Sequence, residues 1–345
     1  MLRAMSWLRP SRPRLNLALQ GGGAHGAFTW GVLDALLEDG HFDVDGVSGT
    51  SAGAMNAVVL AQGLMAGGQA GARAALDQFW QTVARSLPFD IAIPAADGKN
   101  MLLSPPLRLL LQWSQYFSPE QLNPFDLNPL RDIISTQVDF ARLRTDSPVQ
   151  LFIAATQVNT GKLRLFRNAE LTAEAVLASA CLPTMHRSVV IDGEPYWDGG
   201  YSANPAVFPL FEECRTPDIL LVMLAPLTHK ATPASANEIR SRTLELAFNT
   251  NLLREMRTFA HLKRQVGHGW LTLGTFERRL ARTHFHLIEA SALMSELSTE
   301  SKLAAHVQFF AMLKAMGREH AQAWLAAHRD DVGRRSSVDL AGLFA

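Results

Sequence analysis

The sequence predicts an α/β fold. Two strand–loop–helix units follow each other near its start, one over residues 15–38 and one from Val47 onward. In each unit a short apolar strand leads into a glycine-containing turn and then into a helical segment. Further apolar strands are predicted at Gln150–Thr156 and Ile219–Leu224. Such alternation of strands and helices is typical of the α/β class.

The composition allows a substantial core and argues against several functional classes. Of the 345 residues, 48% are hydrophobic and 19% are charged, and the formal net charge is zero. We therefore expect no nucleic-acid partner, because that function favours a basic surface. Cys181 and Cys214 are the only cysteines, too few for a disulfide framework or a metal cluster. We expect a cytoplasmic protein without a metal or another cofactor.

Two stretches near the start bear on targeting. Residues 1–14 contain four arginines and no long apolar run, so we expect a loosely ordered basic leader instead of a signal peptide. Residues 47–72 carry no charge, but their glycines and amide side chains make them too weakly apolar for a membrane span. A buried helix is the prediction for that stretch.

Ser51 lies in the run Gly49-Thr50-Ser51-Ala52-Gly53, which has the Gly-x-Ser-x-Gly spacing of a nucleophile elbow. A serine on a sharp strand-to-helix turn has a strained backbone, so Gly49 and Gly53 would leave room for it. The following helix directs its positive end at the site and favours a developing negative charge. The alternative is a turn without chemistry.

The glycine loop that ends the first strand has three interpretations. Its residues are Gly21, Gly22, Gly23, Ala24, His25 and Gly26. Bare backbone N–H groups there could form an oxyanion hole, or the glycine spacing could bind a dinucleotide, or the turn could be structural. A dinucleotide fold needs an acidic residue after the second strand, whereas Asp43 and Asp45 precede that strand. Two anion-directed turns on consecutive strands favour the oxyanion hole.

Downstream, Asp198 stands at the end of an aromatic strand and is followed by Gly199 and Gly200. A Ser-His-Asp triad would instead require one of the eleven histidines, with His186 and those from His229 onward as candidates. No pair of histidines has a convincing metal-binding spacing.

Three other regions leave alternatives open. Residues 88–125 contain six prolines and an apolar run at 107–113, which indicates either a core-packing excursion or a lid or acyl-chain groove. The helix predicted over Glu238–Arg264 has more basic than acidic residues, so it presents either a solvated face or a surface for anionic lipid. Two helices, Thr299–Ala315 and Gly317–Ala327, and a frayed tail from Asp330 are predicted to follow.

Four motifs in this order resemble the patatin-like phospholipases: the glycine loop, Gly-x-Ser-x-Gly, the run Ala178–Pro183, and Asp198-Gly199-Gly200. The resemblance implies a three-layer α/β/α sandwich with a mostly parallel central sheet. It also implies that Ser51 is the nucleophile and Asp198 its general base, with no histidine, and that residues 21–26 supply oxyanion N–H groups. Gly49, Gly53, Gly199 and Gly200 would support the two turns.

The implied substrates are acyl esters of phospholipids and related lipids, cleaved through an acyl-serine intermediate. A lipid acyltransferase with the same dyad and a dinucleotide-binding module remain the alternatives. The partner would be a lipid, with peripheral membrane contact as a further option. The chain departs from the family pattern at His25, where many members carry Arg or Lys, although backbone donors do not depend on that side chain.

The resemblance also suggests a division of the chain. Residues 1–14 would be the leader and 15–225 the catalytic domain, with an insertion at 88–125. Residues 226–330 would form a helical C-terminal extension packed on the same domain, and 331–345 a tail.

Overall fold

A computed structural model of the protein describes residues 12–86, 92–94, 101–104, 116–229, 232–268, 274–297 and 299–345. The leader up to residue 11 and the apolar run at 107–113 lie outside the described residues, so the predictions for them stay untested.

The described residues form the following strands and helices. The strands are β1 (Arg14–Leu19), β2 (Asp43–Gly49), β3 (Ala92–Pro94), β4 (Met101–Leu103), β5 (Gln150–Gln157), β6 (Leu163–Arg167), β7 (Val189–Ile191), β8 (Glu194–Asp198), β9 (Asp218–Met223) and β10 (His284–Glu289). The helices are α1 (Gly26–Asp39), α2 (Ala52–Arg85), α3 (Pro119–Leu122), α4 (Pro129–Gln137), α5 (Phe140–Asp146), α6 (Ala173–Ser179), α7 (Phe208–Glu213), α8 (Ala236–His268), α9 (Thr275–Arg282), α10 (Ser291–Glu296), α11 (Val307–His328) and α12 (Leu340–Phe344).

The central sheet is mostly parallel, as the resemblance implies. Its order is β10-β9-β1-β2-β5-β8-β7, and β6 pairs with β5 outside this path. The five strands from β10 to β5 are parallel to their neighbours, whereas β6, β7 and β8 pair antiparallel. The α/β/α fold class is therefore confirmed. One edge strand, β10, comes from the C-terminal extension, so that region is not only helical.

Helices cover both faces of the sheet because its strands are apolar on both sides. Alternate side chains of β1 enter opposite cores: Leu17 and Leu19 contribute to one cluster and Ala18 to the other. The first cluster packs under α1, α2 and α11, and the second under α7, α8 and α12. This period-two division makes the three layers.

The predicted break between the two C-terminal helices is wrong, because α11 runs unbroken from Val307 to His328. Gly317 lies inside it, where a Cβ atom would come within 2.1 Å of the Phe28 carbonyl oxygen on α1. The matching Gly31 of α1 lies equally close to the backbone of Lys314. Both glycines therefore serve close helix packing.

The end of the chain is packed, although the sequence predicted a frayed tail. Leu340 and Phe344 of α12 are buried in the second core, and Arg257 of α8 donates through Nε to the Phe344 carbonyl at 3.2 Å. The sequence signal was weak because short polar turns separate these apolar residues.

The long span of α2 contains a kink at Gly67 and Gly68, whose backbone angles are not helical. Across the described residues, we find no helix with the length and hydrophobicity needed to cross a membrane.

Candidate active site

Ser51 occupies the sharp turn between β2 and α2. Its backbone angles are φ 55° and ψ −121°, a conformation that residues other than glycine rarely adopt. The turn is held by Thr50, whose Oγ1 donates to the Ala203 carbonyl at 2.9 Å, and by the Ser51 N–H, which donates to Ser179 Oγ at 3.0 Å. The surrounding structure thus holds the strained backbone in place.

The two flanking glycines are required by close backbone approach. A Cβ atom at Gly49 would lie 2.5 Å from the Gly53 carbonyl oxygen, and one at Gly53 would lie 2.2 Å from that of Leu19. Side chains at either position would push the elbow away from β1.

Strand pairing on β5 brings Ser51 and Asp198 together. β2 pairs with the first half of β5, ending at Gly49 opposite Ile153. β8 pairs antiparallel farther along β5, ending with Asp198 opposite Ala155. Because β6 occupies the other edge of β5 over this range, β2 and β8 share one edge and their carboxyl ends meet. Ser51 accordingly lies beside the Asp198 carboxyl, where it acts to lower the pKa of that group.

Asp198 is almost completely buried, with 1% of its surface exposed. Burial raises its pKa from 3.8 to about 7, although hydrogen bonds from the Gly200 N–H and from Ser51 act in the opposite direction. The Gly200 N–H donates to Oδ1 at 2.7 Å. The backbone of Asp198 is also held in place, because the Asp198 N–H donates to the Cys181 carbonyl at 2.8 Å. A carboxyl group with this pKa can exchange a proton near neutral pH.

The glycine loop lies beside the serine. A Cβ atom at Gly21 would come within 2.9 Å of the Ser51 Cβ. The Gly21 N–H donates to Asn204 Oδ1 at 2.7 Å, and the His25 N–H donates to the Gly22 carbonyl at 3.2 Å. The Gly26 N–H also bonds within the loop, to the carbonyls of Gly23 and Ala24. Among the described residues, no side-chain or backbone oxygen accepts a hydrogen bond from the N–H groups of Gly22 and Gly23.

The His25 side chain does not supply the positive charge that an Arg or Lys would carry at this position. The imidazole is buried, and its Nε2 lies 2.7 Å from Ser301 Oγ. Burial, together with the nearby charge of Lys302, lowers the pKa of His25 to about 3. The side chain is therefore neutral at physiological pH.

Sequence reasoning missed three amide side chains that support the loop. Gln20 is completely buried, and its Oε1 accepts from the N–H groups of Leu224 and Ala225 at 2.6 and 2.8 Å. Its Nε2 donates to Asn249 Oδ1 at 3.0 Å. Asn204 holds Gly21, as described above. The available signal was the position of Gln20, a polar residue directly after a buried strand.

The acidic residue that the dinucleotide interpretation needs after the second strand is not supplied by Asp45. Asp45 lies at the opposite, amino end of the strands, where its Oδ2 accepts from the N–H groups of Arg215 and Thr216 at 2.6 and 3.0 Å. Its Oδ1 accepts from Arg14 at 3.1 Å. This carboxylate is too far along β2 to contact a ribose held at the loop.

The contacts of the described residues do not form a Ser-His-Asp triad. Within the described ranges, no histidine hydrogen-bonds Ser51 or Asp198. His229 bonds Glu245 at 2.8 Å, and His286 bonds Asp218 at 3.1 Å at the amino end of the sheet. The same ranges contain no cluster of three or more residues suited to binding a metal ion.

The fold is that of an α/β protein whose mostly parallel sheet is covered by helices on both faces. The sequence model of the family described as patatin-like phospholipase matches residues 17–211. This match spans more than half of the chain, so the chain belongs to the patatin-like phospholipase family. The resemblance drawn from the four motifs is confirmed. Membership indicates a lipid hydrolase that acts on acyl lipids.

Among solved structures, the crystal structure of VipD from Legionella pneumophila is similar to this chain. The TM-score is 0.46 at 16% sequence identity, over 93% of this chain and 68% of that chain. No match was found among curated proteins.

Proposed function

We propose that the protein hydrolyses acyl esters of phospholipids or related lipids, with Ser51 as nucleophile and Asp198 as general base. The observation that carries the proposal is the placement of Ser51 beside the buried Asp198 carboxyl. A strained serine within reach of a base is the arrangement that nucleophilic catalysis requires.

In the first half-reaction, Asp198 accepts the hydroxyl proton while Ser51 Oγ attacks the ester carbonyl carbon. The resulting oxyanion receives hydrogen bonds from the Gly22 and Gly23 N–H groups, and the positive end of α2 adds to the stabilisation. Protonated Asp198 then gives its proton to the leaving alkoxide, the carbon–oxygen bond of the ester breaks, and an acyl-serine remains.

In the second half-reaction, water attacks the acyl-serine and loses its proton to Asp198. The Ser51 alkoxide leaves and recovers that proton, which releases a fatty acid and restores the pair. A carboxylate of ordinary pKa would be a poor base for both steps. The burial that raises the Asp198 pKa to about 7 makes the exchange more favourable.

Labelling with a fluorophosphonate probe tests the proposal. We expect the probe to modify the wild type at Ser51, and Ser51→Ala to lose both the label and at least about 10⁴-fold in hydrolysis of a short-chain soluble ester. Ser86→Ala is the matched control, because this hydroxyl caps the far end of α2 by donating to the Val83 carbonyl at 2.8 Å. Ester hydrolysis retained in Ser51→Ala would exclude the mechanism.

A further inference from the structure

Exposed apolar side chains gather on the segment 116–127, which precedes α4. Tyr116 is 78% exposed and Phe125 83% exposed, and Phe117, Leu122 and Leu127 also face solvent. Most large apolar side chains in the described part of the chain are buried instead. A contiguous exposed group of this size usually marks a surface that contacts another molecule.

Arg187 ties this segment to the candidate active site. Its Nη2 donates to three carbonyl oxygens of the segment, those of Glu120, Asn123 and Pro124, at 3.4, 3.1 and 3.0 Å. The Arg187 carbonyl accepts from Cys181 Sγ at 3.0 Å, and the Cys181 carbonyl accepts from the Asp198 N–H. The exposed segment is thus connected to the loop that positions Asp198.

The beginning of α8 supplies a second exposed apolar group beside the same site. Three aromatic rings lead to it from the strand that ends in Asp198: Trp197 lies 6.4 Å from Tyr201, which lies 4.7 Å from Phe248. Phe248 also contacts Gly200, since a Cβ atom there would meet its ring. Within the three turns before Phe248, Ile239, Leu244 and Leu246 are exposed.

The direction of α8 places these residues at the carboxyl end of the sheet. Asn249 bonds Gln20 at the carboxyl end of β1, whereas Lys263 reaches the Leu280 and Thr283 carbonyls just before β10 begins. The helix therefore runs from the site toward the opposite end of the strands. We name the eight exposed residues at the site the apolar rim: Tyr116, Phe117, Leu122, Phe125, Leu127, Ile239, Leu244 and Leu246.

The rim has no excess of positive charge. Over residues 116–127 and 239–246, the acidic residues are Glu120, Asp126 and Glu245, and the basic residues are Arg240 and Arg242. Arg242 pairs with Glu245 at 2.5 Å. Two cations farther along α8, Arg257 and Lys263, bond backbone carbonyls of the protein. These contacts do not favour attraction to anionic lipid as the way in which this region binds.

We propose that the apolar rim inserts into the surface of a lipid bilayer and holds the mouth of the active site against it. The inference rests on the proposed function, because both parts of the rim are connected to the turn that carries Asp198, the proposed base. Exposed aromatic and aliphatic side chains, one of them a tyrosine with a polar tip, suit the boundary between headgroups and acyl chains. Burial of apolar surface drives this association, so it persists in high salt.

Vesicle sedimentation tests the proposal with a matched pair of double variants. The rim variant is Phe125→Ser with Leu127→Ser. The control variant is Phe276→Ser with Leu343→Ser, two side chains that are 48% and 43% exposed on α9, which leads into the amino end of β10, and on α12. Both are compared with the wild type on phosphatidylcholine vesicles at low and high salt, with thermal unfolding as a check on folding.

We expect the rim variant to bind vesicles at least about tenfold more weakly and to cleave vesicle phospholipid more slowly by a similar factor. Its hydrolysis of a short-chain soluble ester should equal that of the wild type, because the rim does not contact the reacting atoms. The control variant should match the wild type in all three measurements.

Three outcomes would overturn the proposal: equal vesicle binding by the rim variant, binding by the wild type that high salt abolishes, or a wild-type dimer that the rim variant loses while vesicle binding is unchanged. Ser51→Ala separates this inference from the proposed function. We expect it to bind vesicles like the wild type, so a failure of the catalytic mechanism would leave the binding result readable.

Discussion

Two buried aspartates show how the environment sets the pKa of a carboxyl group. Asp198 ends β8 beside Ser51, and burial raises its pKa to about 7. Asp34, on α1, is also buried, and burial alone would raise its pKa as well. Hydrogen bonds from Arg73 and Arg318, and the charges of Arg73 and Lys314, instead lower the pKa of Asp34.

The difference lies in the partners. Arg73 donates through Nε to Asp34 Oδ1 at 2.8 Å, Arg318 bonds the other oxygen, and both guanidinium groups also reach Glu38. Among the described residues, the groups that act on the Asp198 carboxyl are neutral: the Gly200 N–H, which donates to it, and the Ser51 side chain. A carboxylate paired with cations is fixed as an anion, whereas one held by neutral donors can take up a proton.

The largest expected effect is the loss of activity when Asp198 is replaced. Asp198→Asn removes the proton acceptor, so kcat should fall by roughly 10³-fold or more. The free energy of unfolding should not fall, because the asparagine oxygen can still accept from Gly200 and no buried charge is left. Ester hydrolysis and denaturant unfolding measure the two quantities. Activity within tenfold of the wild type would show that Asp198 is not the base.

Replacement of Asp34 should have the opposite pattern, a loss of stability without a loss of activity. Asp34→Asn leaves Arg73 and Arg318 without their carboxylate, and we expect a loss of about 2–3 kcal/mol in the free energy of unfolding. Because the cluster joins α1 to α2 and α11 and includes neither Ser51 nor Asp198, ester hydrolysis by the folded protein should be unchanged. Urea unfolding checks the stability. A parallel loss of kcat in fully folded Asp34→Asn would break the proposed separation of the two regions.

The pH dependence of activity and of stability should follow from the shifted pKa values of Asp198 and Asp34. For catalysis Asp198 must be ionised, so kcat/KM should fall about tenfold per pH unit below about 7. The stability that the raised pKa of Asp198 contributes is complete below 3.8 and is lost as the pH rises to about 7, by up to ~1.4 kcal/mol per pH unit. For Asp34, whose pKa is lowered, the contribution is present above 3.8 and is lost as the pH falls.

These profiles can be separated by unfolding each variant across the pH range. Asp198→Asn should remove the decrease in stability between pH 3.8 and 7, and Asp34→Asn should reduce the loss in acid. A flat kcat/KM profile across pH 5 to 8 would contradict the assignment of Asp198.

The smallest effect should come from a third buried carboxylate. Burial raises the pKa of Glu255 to about 7, although the N–H groups of Val207 and Phe208 donate to its Oε1. No nucleophilic side chain is among its described partners, so Glu255→Gln should keep kcat within about twofold and change the free energy of unfolding by less than ~1 kcal/mol. A large loss of activity would mean that a raised pKa, without contact to Ser51, is enough to identify a catalytic group.

The sequence predicted the parts of this molecule that depend on local chemistry. The strands before Gly21 and Ser51 and the turn at Asp198 each carry their own signal, because close backbone approach requires glycine at fixed spacing. The sequence alone did not predict β10 as an edge strand or α11 as one helix. Both depend on partners distant in the chain, as the contact of Gly317 with Phe28 illustrates.

The polar side chains that support the site could not be predicted from the local sequence either. Gln20 and Asn204 look like ordinary polar residues in the sequence, and their roles become visible only when three chain segments meet. His25 also depends on distant partners. It stands where many members of the family carry Arg or Lys, and burial beside Ser301 makes its imidazole neutral.

The end-to-end meeting of β2 and β8 on one edge of β5 also has a consequence during synthesis of the chain. Ser51 emerges from the ribosome long before Asp198, and the two become neighbours only after β8 has docked antiparallel on β5. Under the proposed mechanism, a nascent chain that stops short of residue 198 has a serine elbow but no proton acceptor. Such a chain would not hydrolyse lipid before its synthesis is complete.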